Sequence, residues 1–589
     1  MLFGKNVNQY YLKYALFFIV GILALVAVDI FQLEIPEIIG DVIDGIDENW
    51  LTKSILIEYM KKIGIIILVM FTGRFLWRIC IFGNGVRIEA ALREKMFVHL
   101  ENLSQRYLQE NKTGALMALF TNDLQTVRSA FAEGTLMLVD ALFLGSMAFM
   151  KMWKLDITLT LISSIPLILL ALCGKIIGGY MRKKYSQRQK AFANISDFTQ
   201  ESFSGISVIK AFVKEGKELL AFRKINQDNL EKNVEFVKAA VLLQILITFF
   251  ISSIMIIILG YGGYMVYQSR AYGIGDFTIG TLTKFIQFFS TLTWPMMAVA
   301  QLINLTSQGS ASLKRINSLL NEEPDIKDDV DAVDMEIEGK ITFDAFTFSY
   351  PNAENSALKN ISFTIEKGES LGIIGRTGSG KTILVDSLLR IYNVNQNQVF
   401  IDDVDIMKIK IADLRRAIAY VPQDNFLFSD TIANNINFSR SELNMDDIVA
   451  AAINADVHSN IQEFANGYET ILGERGTTVS GGQKQRISIA RALLSDAKIL
   501  ILDDSVSAVD TKTEETILHN IRNLRAGKTT IFIAHRISTI QSLDKIALLE
   551  EGKLIGFGSH LELMHKCPTY KKMVDLQRLE DEVGGVKNE

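Results

Sequence analysis

The stretch Leu371-Gly-Ile-Ile-Gly375-Arg376-Thr377-Gly378-Ser379-Gly380-Lys381-Thr382 decides the architecture of the C-terminal half. An apolar strand runs into a glycine-rich turn, and the turn opens an amphipathic helix. That is the setting a phosphate-cradling loop requires. The glycines let backbone N–H groups turn inward onto phosphate oxygens, and the helix start adds a favourable field for anions. Lys381 supplies a point charge for the β- and γ-phosphates, and Thr382 a hydroxyl for Mg²⁺. A glycine-rich turn with no nucleotide is the alternative.

Outward from the loop, short apolar runs alternate with amphipathic helical stretches from about Glu336 onward. Examples are Leu371–Ile374, Ile499–Leu502 and Thr530–Ile533. Continuous apolar strands between helices predict an α/β domain with a mostly parallel sheet buried on both faces. Ile499-Leu-Ile-Leu502-Asp503-Asp504 is such a strand ending in two carboxylates. Ligands of open α/β sheets bind at the carboxyl ends of strands, so Asp503 is expected to hold Mg²⁺ there. By itself this is a weak motif; downstream of a phosphate loop it is a strong one. Ser480-Gly481-Gly482-Gln483-Lys-Gln-Arg lies directly before the helical run Arg486–Leu494. It offers backbone donors to an anion at a helix start, where a bare Ser-Gly-Gly is otherwise only a turn.

The N-terminal half reads differently. Hydrophobic residues make up 49% of the 589-residue chain and mean hydropathy is +0.22, with the excess concentrated before residue 310. Six apolar segments reach the ~20 residues needed to cross a bilayer. They lie near 14–38, 62–83, 134–153, 157–178, 240–267 and 277–305. The fifth has no charged residue from Ala239 to Ser269. No small-residue cleavage site follows the first, so it reads as a spanning helix and not a removable signal peptide. The two long connections are basic, with Arg87, Arg93 and Lys95 in one and Arg182, Lys183 and Lys184 in the other. The positive-inside rule places them, and both termini, in the cytoplasm. A polar stretch at 321–335 reads as a linker. The expected domains are therefore a membrane domain, 1–320, the linker, and a nucleotide-binding domain, 336–589. Net charge is −5, from 61 basic and 66 acidic side chains, which points to no nucleic-acid partner. Cys80, Cys173 and Cys567 are far apart and form no metal-like spacing.

Together the phosphate loop, the acidic strand and the Ser480–Gln483 segment resemble the ATP-binding cassette (ABC) transporters, over essentially the whole chain. The order of membrane domain before cassette resembles the exporter branch. The resemblance implies a six-helix membrane domain fused to a cytoplasmic α/β P-loop domain, the type I exporter architecture. It implies ATP and Mg²⁺ as ligands. Tyr350 resembles the aromatic on which adenine stacks. Gln423 resembles the glutamine that reaches Mg²⁺ and water. Asp510 matches the loop linking two ATP sites, and His535 the histidine that contacts the γ-phosphate. Thr113-Gly-Ala-Leu with Asn122-Asp123, and Glu201–Phe212, resemble the two cytoplasmic coupling segments; Trp294-Pro295 and Gln308–Ile316 also fit the branch. The N-terminal residues are too few for a peptidase-like domain, so a peptide-processing exporter is not expected.

In this family two cassettes pair head to tail, and the Ser480–Gln483 segment of one closes over the γ-phosphate of the other. A partner half-transporter is thus implied. One position departs from the family pattern. The residue after the Mg²⁺-binding aspartate is usually the glutamate that polarises the attacking water; here it is Asp504. Asp is one methylene shorter, pulling the carboxylate back by about 1–1.5 Å, and a misplacement of ~1 Å costs around a hundredfold in rate. The combination resembles the shorter subunit of heterodimeric bacterial multidrug exporters, with a homodimer as the alternative. The expected function is export of amphipathic small molecules across the plasma membrane by alternating access. Lipid flipping and an ATP-gated channel or regulatory subunit share the architecture. Within the spans, Asp29, Glu34, Arg74, Arg78 and Asp140 are expensive in lipid. They read either as mutual pairs that fix helix packing or as the lining of a charged substrate cavity.

Overall fold

The computed structural model describes residues 6–586, apart from residues 352, 354, 443, 474, 475 and 477. The chain forms two compact units. One runs to Leu100 and resumes at Gly114–Asn321; the other is Glu101–Thr113 together with the chain from Glu322 onward.

The first unit is helical. Its long helices are α1 (Ala15–Asp47), α2 (Lys53–Glu101), α3 (Thr113–Leu155), α4 (Ile157–Ser204), α5 (Glu215–Tyr272) and α6 (Ile279–Leu320). Five of them are long and apolar enough to cross a membrane, and in α4 the described apolar stretch is Ile157–Leu170. The fourth expected span, 157–178, runs through positions 171, 174 and 175, whose side chains lie outside the described residues. In lipid a helix satisfies every backbone donor and acceptor within itself, which is why these apolar runs take this form. Ile65, Leu68, Phe71 and Phe75 point outward on α2, while Leu33, Ile254, Ile258, Phe285 and Phe288 are fully buried. Helices α1 and α6 meet at glycines: a Cβ on Gly280 would lie 2.2 Å from the Gly40 carbonyl oxygen. Asp44 then caps the start of α6, accepting from the Gly280 N–H at 2.7 Å and the Thr278 hydroxyl at 2.8 Å.

Helix α3 contains two π turns, Leu119–Asp123 and Asp140–Leu144. Each places a buried aspartate against α6. Asp123 accepts from Arg315 Nε at 3.0 Å, and Asp140 from Trp294 Nε1 at 2.7 Å. Among the described residues no salt bridge joins two of Asp29, Glu34, Arg74, Arg78 and Asp140; Glu34 finds a lysine outside that set. Lys151 bridges Glu34 and Glu37, and Lys284 joins Glu37 to Asp41.

The second unit holds two sheets. Strands β1 (Ile341–Phe348), β2 (Leu358–Ile365), β4 (Val399–Ile401) and β5 (Val404–Asp405) form an antiparallel sheet ordered β2-β1-β4-β5. Strands β3 (Ser370–Gly375), β6 (Ile418–Val421), β7 (Ile499–Asp503), β8 (Thr529–Ile533), β9 (Lys545–Glu550) and β10 (Lys553–Gly558) form the other, ordered β10-β9-β3-β8-β7-β6. Only β10 runs antiparallel in it. Both faces are covered, as the continuous apolar strands require. Leu371, Ile373, Ile501 and Ile533 join one core; Ile374, Leu500, Leu502 and Phe532 join the other.

Two sequence expectations shift here. Of the polar stretch 321–335, all but Asn321 goes with the cassette unit and is held to it by specific contacts. The Ile411 N–H donates to Asp328 at 2.8 Å, Lys410 pairs with Asp334 at 2.6 Å, and Val333 bridges Ile409. The reason is a tertiary one: fully buried Arg390 donates to the carbonyls of Lys327 at 3.1 Å and Ile409 at 3.2 Å. Replacing Arg390 with Ala strands both acceptors and leaves a cavity, an expected loss of about 3 kcal/mol. The cassette's thermal transition should fall by roughly 6–12 °C, and an unmoved midpoint would remove this role. The second shift concerns the first coupling segment. The part of that connection gathered with the cassette is Glu101–Thr113, which reaches only the first of the quoted residues. Its helix Gln105–Glu110 is held by Arg106 to Asp325 at 2.6 Å and by Ser104 to Asp325 at 3.2 Å. Thr113–Leu116 instead begins α3, and Asp123 faces Arg315.

Candidate active site

Register brings the candidate site groups of three neighbouring strands to one level. Ile373 of β3 pairs with Ile533 of β8, and Ile533 with Asp503 of β7. The loop after β3, the His535 turn after β8 and the Asp503 carboxylate therefore share one edge of the sheet. Gly378 and Gly380 adopt φ of +81° and +97°, which a side-chain-bearing residue takes only at a cost. At Gly375 a Cβ would sit 2.3 Å from the Leu549 carbonyl oxygen, so the loop closes tightly on β9.

Within the loop, Lys381 is buried and its Nζ donates to the carbonyls of Gly375 at 2.8 Å and Arg376 at 3.1 Å. Burial holds its pKa below the usual lysine range, opposed by Asp503 and Asp504. The Thr382 hydroxyl donates to Asp503 Oδ2 at 3.2 Å. Asp503 is 2% exposed, and burial pushes its carboxyl above the usual range against the pull of the Thr382 hydrogen bond. The buried Ser379 hydroxyl has no hydrogen-bond partner among the described residues.

Lys381, Thr382 and Asp503 line a cavity of about 380 Å³ that also takes in Tyr350, Thr377, Gln423 and His535. Its chemistry fits a nucleoside triphosphate with Mg²⁺. The loop offers backbone donors and a free hydroxyl, and Thr382, Asp503 and Gln423 are the hard oxygen donors Mg²⁺ prefers. Among the described residues no group of three His, Cys, Asp or Glu side chains could hold a metal by itself. Phosphate oxygens and water would supply the remaining ligands. Tyr350 is 40% exposed and stands edge-on to Tyr392 and Phe348.

Asp504 lies 3.4 Å from Gln423 Nε2 through its Oδ2. Its backbone is left-handed, φ +48°, and pinned on both sides. Its N–H donates to the Ile533 carbonyl at 2.9 Å, and its own carbonyl accepts from Ser507 and Gln485. Asp tolerates this conformation better than most residues.

Ser480–Gln483 and Asp510 stand apart from that cavity. Ser480 and Gln483 form a capping box at the start of the helix Gly481–Leu494. Asp510 caps Thr511–Leu524, accepting from the Thr513 N–H at 3.1 Å. Both sites thus have a local structural job as well as the one the resemblance implies. The sequence reading missed Tyr420, which hydrogen-bonds Asp503, and Asp386, whose carboxyl burial and then Asp503 push up to about 6. It also missed Gln485, which ties Asp504 to the Ala508 N–H. Asp386 lies one helical turn beyond Thr382, on the same face, and that spacing was the available signal.

Two family descriptions match the chain, one in each half. Residues 18–296 match the ABC transporter transmembrane region and residues 358–507 match the ABC transporter domain. A probable multidrug resistance ABC transporter ATP-binding/permease protein, YheI of Bacillus subtilis, is 35% identical over 98% of this chain and 97% of its own length. The chain belongs to the ABC transporters. Another such transporter, the multidrug resistance-like ATP-binding protein MdlA of Escherichia coli, is 35% identical over 94% of this chain and 93% of its own. An ATP-dependent lipid A-core flippase of Syntrophus aciditrophicus is 32% identical over 91% and 87%. The solved structure of a bacterial Atm1-family ABC exporter with ATP bound superposes with a TM-score of 0.74 at 24% identity, covering 97% of this chain and 98% of that one. This ABC transporter has the type I exporter fold, and it couples ATP hydrolysis to transport across a membrane.

Proposed function

We propose that this chain is one half of a two-chain bacterial plasma-membrane exporter of amphipathic small molecules, and that it supplies the slow ATP site. The reading rests on one observation: beside Gln423, 3.4 Å from its Nε2, stands Asp504, one methylene shorter than the glutamate of the family pattern. In this reading Tyr350 stacks on adenine. Gly375–Thr382 cradle the phosphates, and Thr382, Asp503 and Gln423 hold Mg²⁺. His535 contacts the γ-phosphate. Ser480–Gln483 and Asp510, which lie away from this chain's own cavity, serve the site of the partner. Their Gly481 and Gly482 N–H groups are at the start of a 14-residue helix, where an anion is favoured. Phe203 and Phe212, which flank the short helix Ile206–Ala211, are both 70% exposed, an apolar surface suited to docking on the partner's cassette.

The test is intact-mass analysis of the tagged transporter purified from its native membrane. A second chain of similar size at a one-to-one ratio is the expected result. A single species at twice 66.0 kDa would make Asp504 the working carboxylate of both sites and overturn the slow-site account. Movement of lipids is a second reading, favoured by the likeness to the lipid A-core flippase. Labelled-lipid flipping in the absence of dye uptake by inverted vesicles would decide for it.

A further inference from the structure

The turn that carries His535 is held by a residue of the C-terminal helix Pro568–Val586. Strand β8 ends at Ile533, and the chain passes through Ala534, His535 and Arg536 into the short helix Ile537–Ile540. The His535 side chain is exposed and lines the nucleotide cavity. Where its imidazole lies is therefore set by its backbone. That backbone is poorly held by its own neighbours. Arg536, at the N-cap of the short helix, makes no side-chain cap bond. A helix start left so has N–H groups in need of acceptors.

Gln577 meets that need. Its Nε2 donates to the His535 carbonyl at 2.7 Å, and its Oε1 accepts from the Ile537 N–H at 2.7 Å. One planar amide thus clasps both sides of the turn, by its donor and its acceptor. On the helix Pro568–Val586, Gln577 shares a face with Tyr570, Met573 and Val574, at the i, i+3, i+4, i+7 spacing. Tyr570 is fully buried, and Met573 and Val574 pack against the core that holds Phe532, Ala534 and Ile537. The apolar residues anchor the helix, and the next turn presents Gln577. A second group holds the turn: buried Glu514 accepts from the Thr539 hydroxyl at 2.5 Å and from Arg536 at 3.3 Å. Of the two, it is Gln577 that reaches His535 itself.

We propose that Gln577 is a positioning residue for nucleotide recognition, fixing the His535 turn so that the imidazole stands where a γ-phosphate arrives. An exposed side chain on a freed turn spends its time in other positions, and ~1 Å of misplacement is enough to lose such a contact. The clasp acts on the triphosphate alone, since ADP brings no γ-phosphate for the imidazole to meet. It therefore sets how strongly this chain's own site prefers ATP to ADP, and it ties that preference to the seating of the C-terminal helix. This inference rests on the reading of His535 as the γ-phosphate contact.

The experiment is competition by ATP and by ADP, each with Mg²⁺, against photolabelling of the assembled transporter with 8-azido-ATP on ice. The label is read on this chain. In His535→Ala the preference for ATP over ADP is expected to fall about tenfold, the size of one charge-assisted hydrogen bond. Gln577→Met keeps the length of the side chain and removes both bonds. It should lower the preference by about three- to tenfold with ADP affinity level. The double variant should fall no further than His535→Ala alone. A merely structural role would lower the thermal transition and leave the ATP-to-ADP ratio where it was. That result in Gln577→Met, with the His535→Ala fall present, overturns the inference and leaves the reading of His535 standing. A further fall in the double variant overturns it too, because Gln577 would then act apart from His535. An unchanged ratio in His535→Ala removes both. Should Gln577→Met fold poorly, Gln577→Glu takes its place. It keeps an acceptor for the Ile537 N–H, sets a carboxylate against the His535 carbonyl, and is expected to show the same fall.

Discussion

Asp504→Glu should raise the ATP turnover of the purified transporter by about a hundredfold, the inverse of what a ~1 Å misplacement costs. The substitution adds one methylene on a backbone that is already held. The Asp504 N–H is fixed to the Ile533 carbonyl, and its own carbonyl to Ser507 and Gln485. The longer side chain therefore extends towards the γ-phosphate and does not drag the loop with it. A price is expected in stability, because φ is +48° and Glu is less at ease there than Asp. Phosphate release at saturating ATP is the measurement. Turnover that stays level would mean that the shorter carboxylate already polarises the water, and the slow-site reading would fall.

Lys381→Ala is expected to remove ATP-dependent stabilisation from this chain's own site. Nζ now lies between two loop carbonyls, 2.8 and 3.1 Å away, in a buried position beside Asp503. Nucleotide phosphates would take over those contacts with far stronger charge. Preorganised charges of this kind are worth about 10²–10³ in rate when removed singly. A ligand at a hundred times its Kd adds about 2.7 kcal/mol to the folded state. The wild type should show a clear upward shift of its thermal transition with ATP and Mg²⁺, and the variant should lose the part owed to this site. An equal shift in both proteins would show that the phosphate loop is not where the nucleotide is held.

The phosphate loop was legible because its chemistry dictates its residue types. Only glycine takes φ near +81° and +97° cheaply, and only a lysine and a hydroxyl follow where they must. The apolar strands were legible for a similar reason, since both sheet faces are buried and no polar residue can interrupt them. Helix spans in lipid are legible from length alone. The tertiary partners were not. Nothing local says that Arg390 reaches the carbonyl of Lys327 and gathers the polar stretch 321–335 onto the cassette. Nothing local separates Glu34, which finds Lys151, from Asp29 and Asp140, which are left with unmet oxygens.

The two-part architecture, the candidate phosphate loop and the aspartate at position 504 were readable from residue order alone, because each depends on side-chain type at a short spacing. The tertiary structure decided the rest. Strand order put β8 between β3 and β7, and so set His535 between the phosphate loop and Asp503. A π turn aimed Asp140 at Trp294. Docking of Gln105–Glu110 beside Asp325 chose which part of a long connection stays with the cassette. These outcomes depend on which surfaces meet across long sequence separations. Burial and hydrogen bonding select such meetings only once the whole chain has packed.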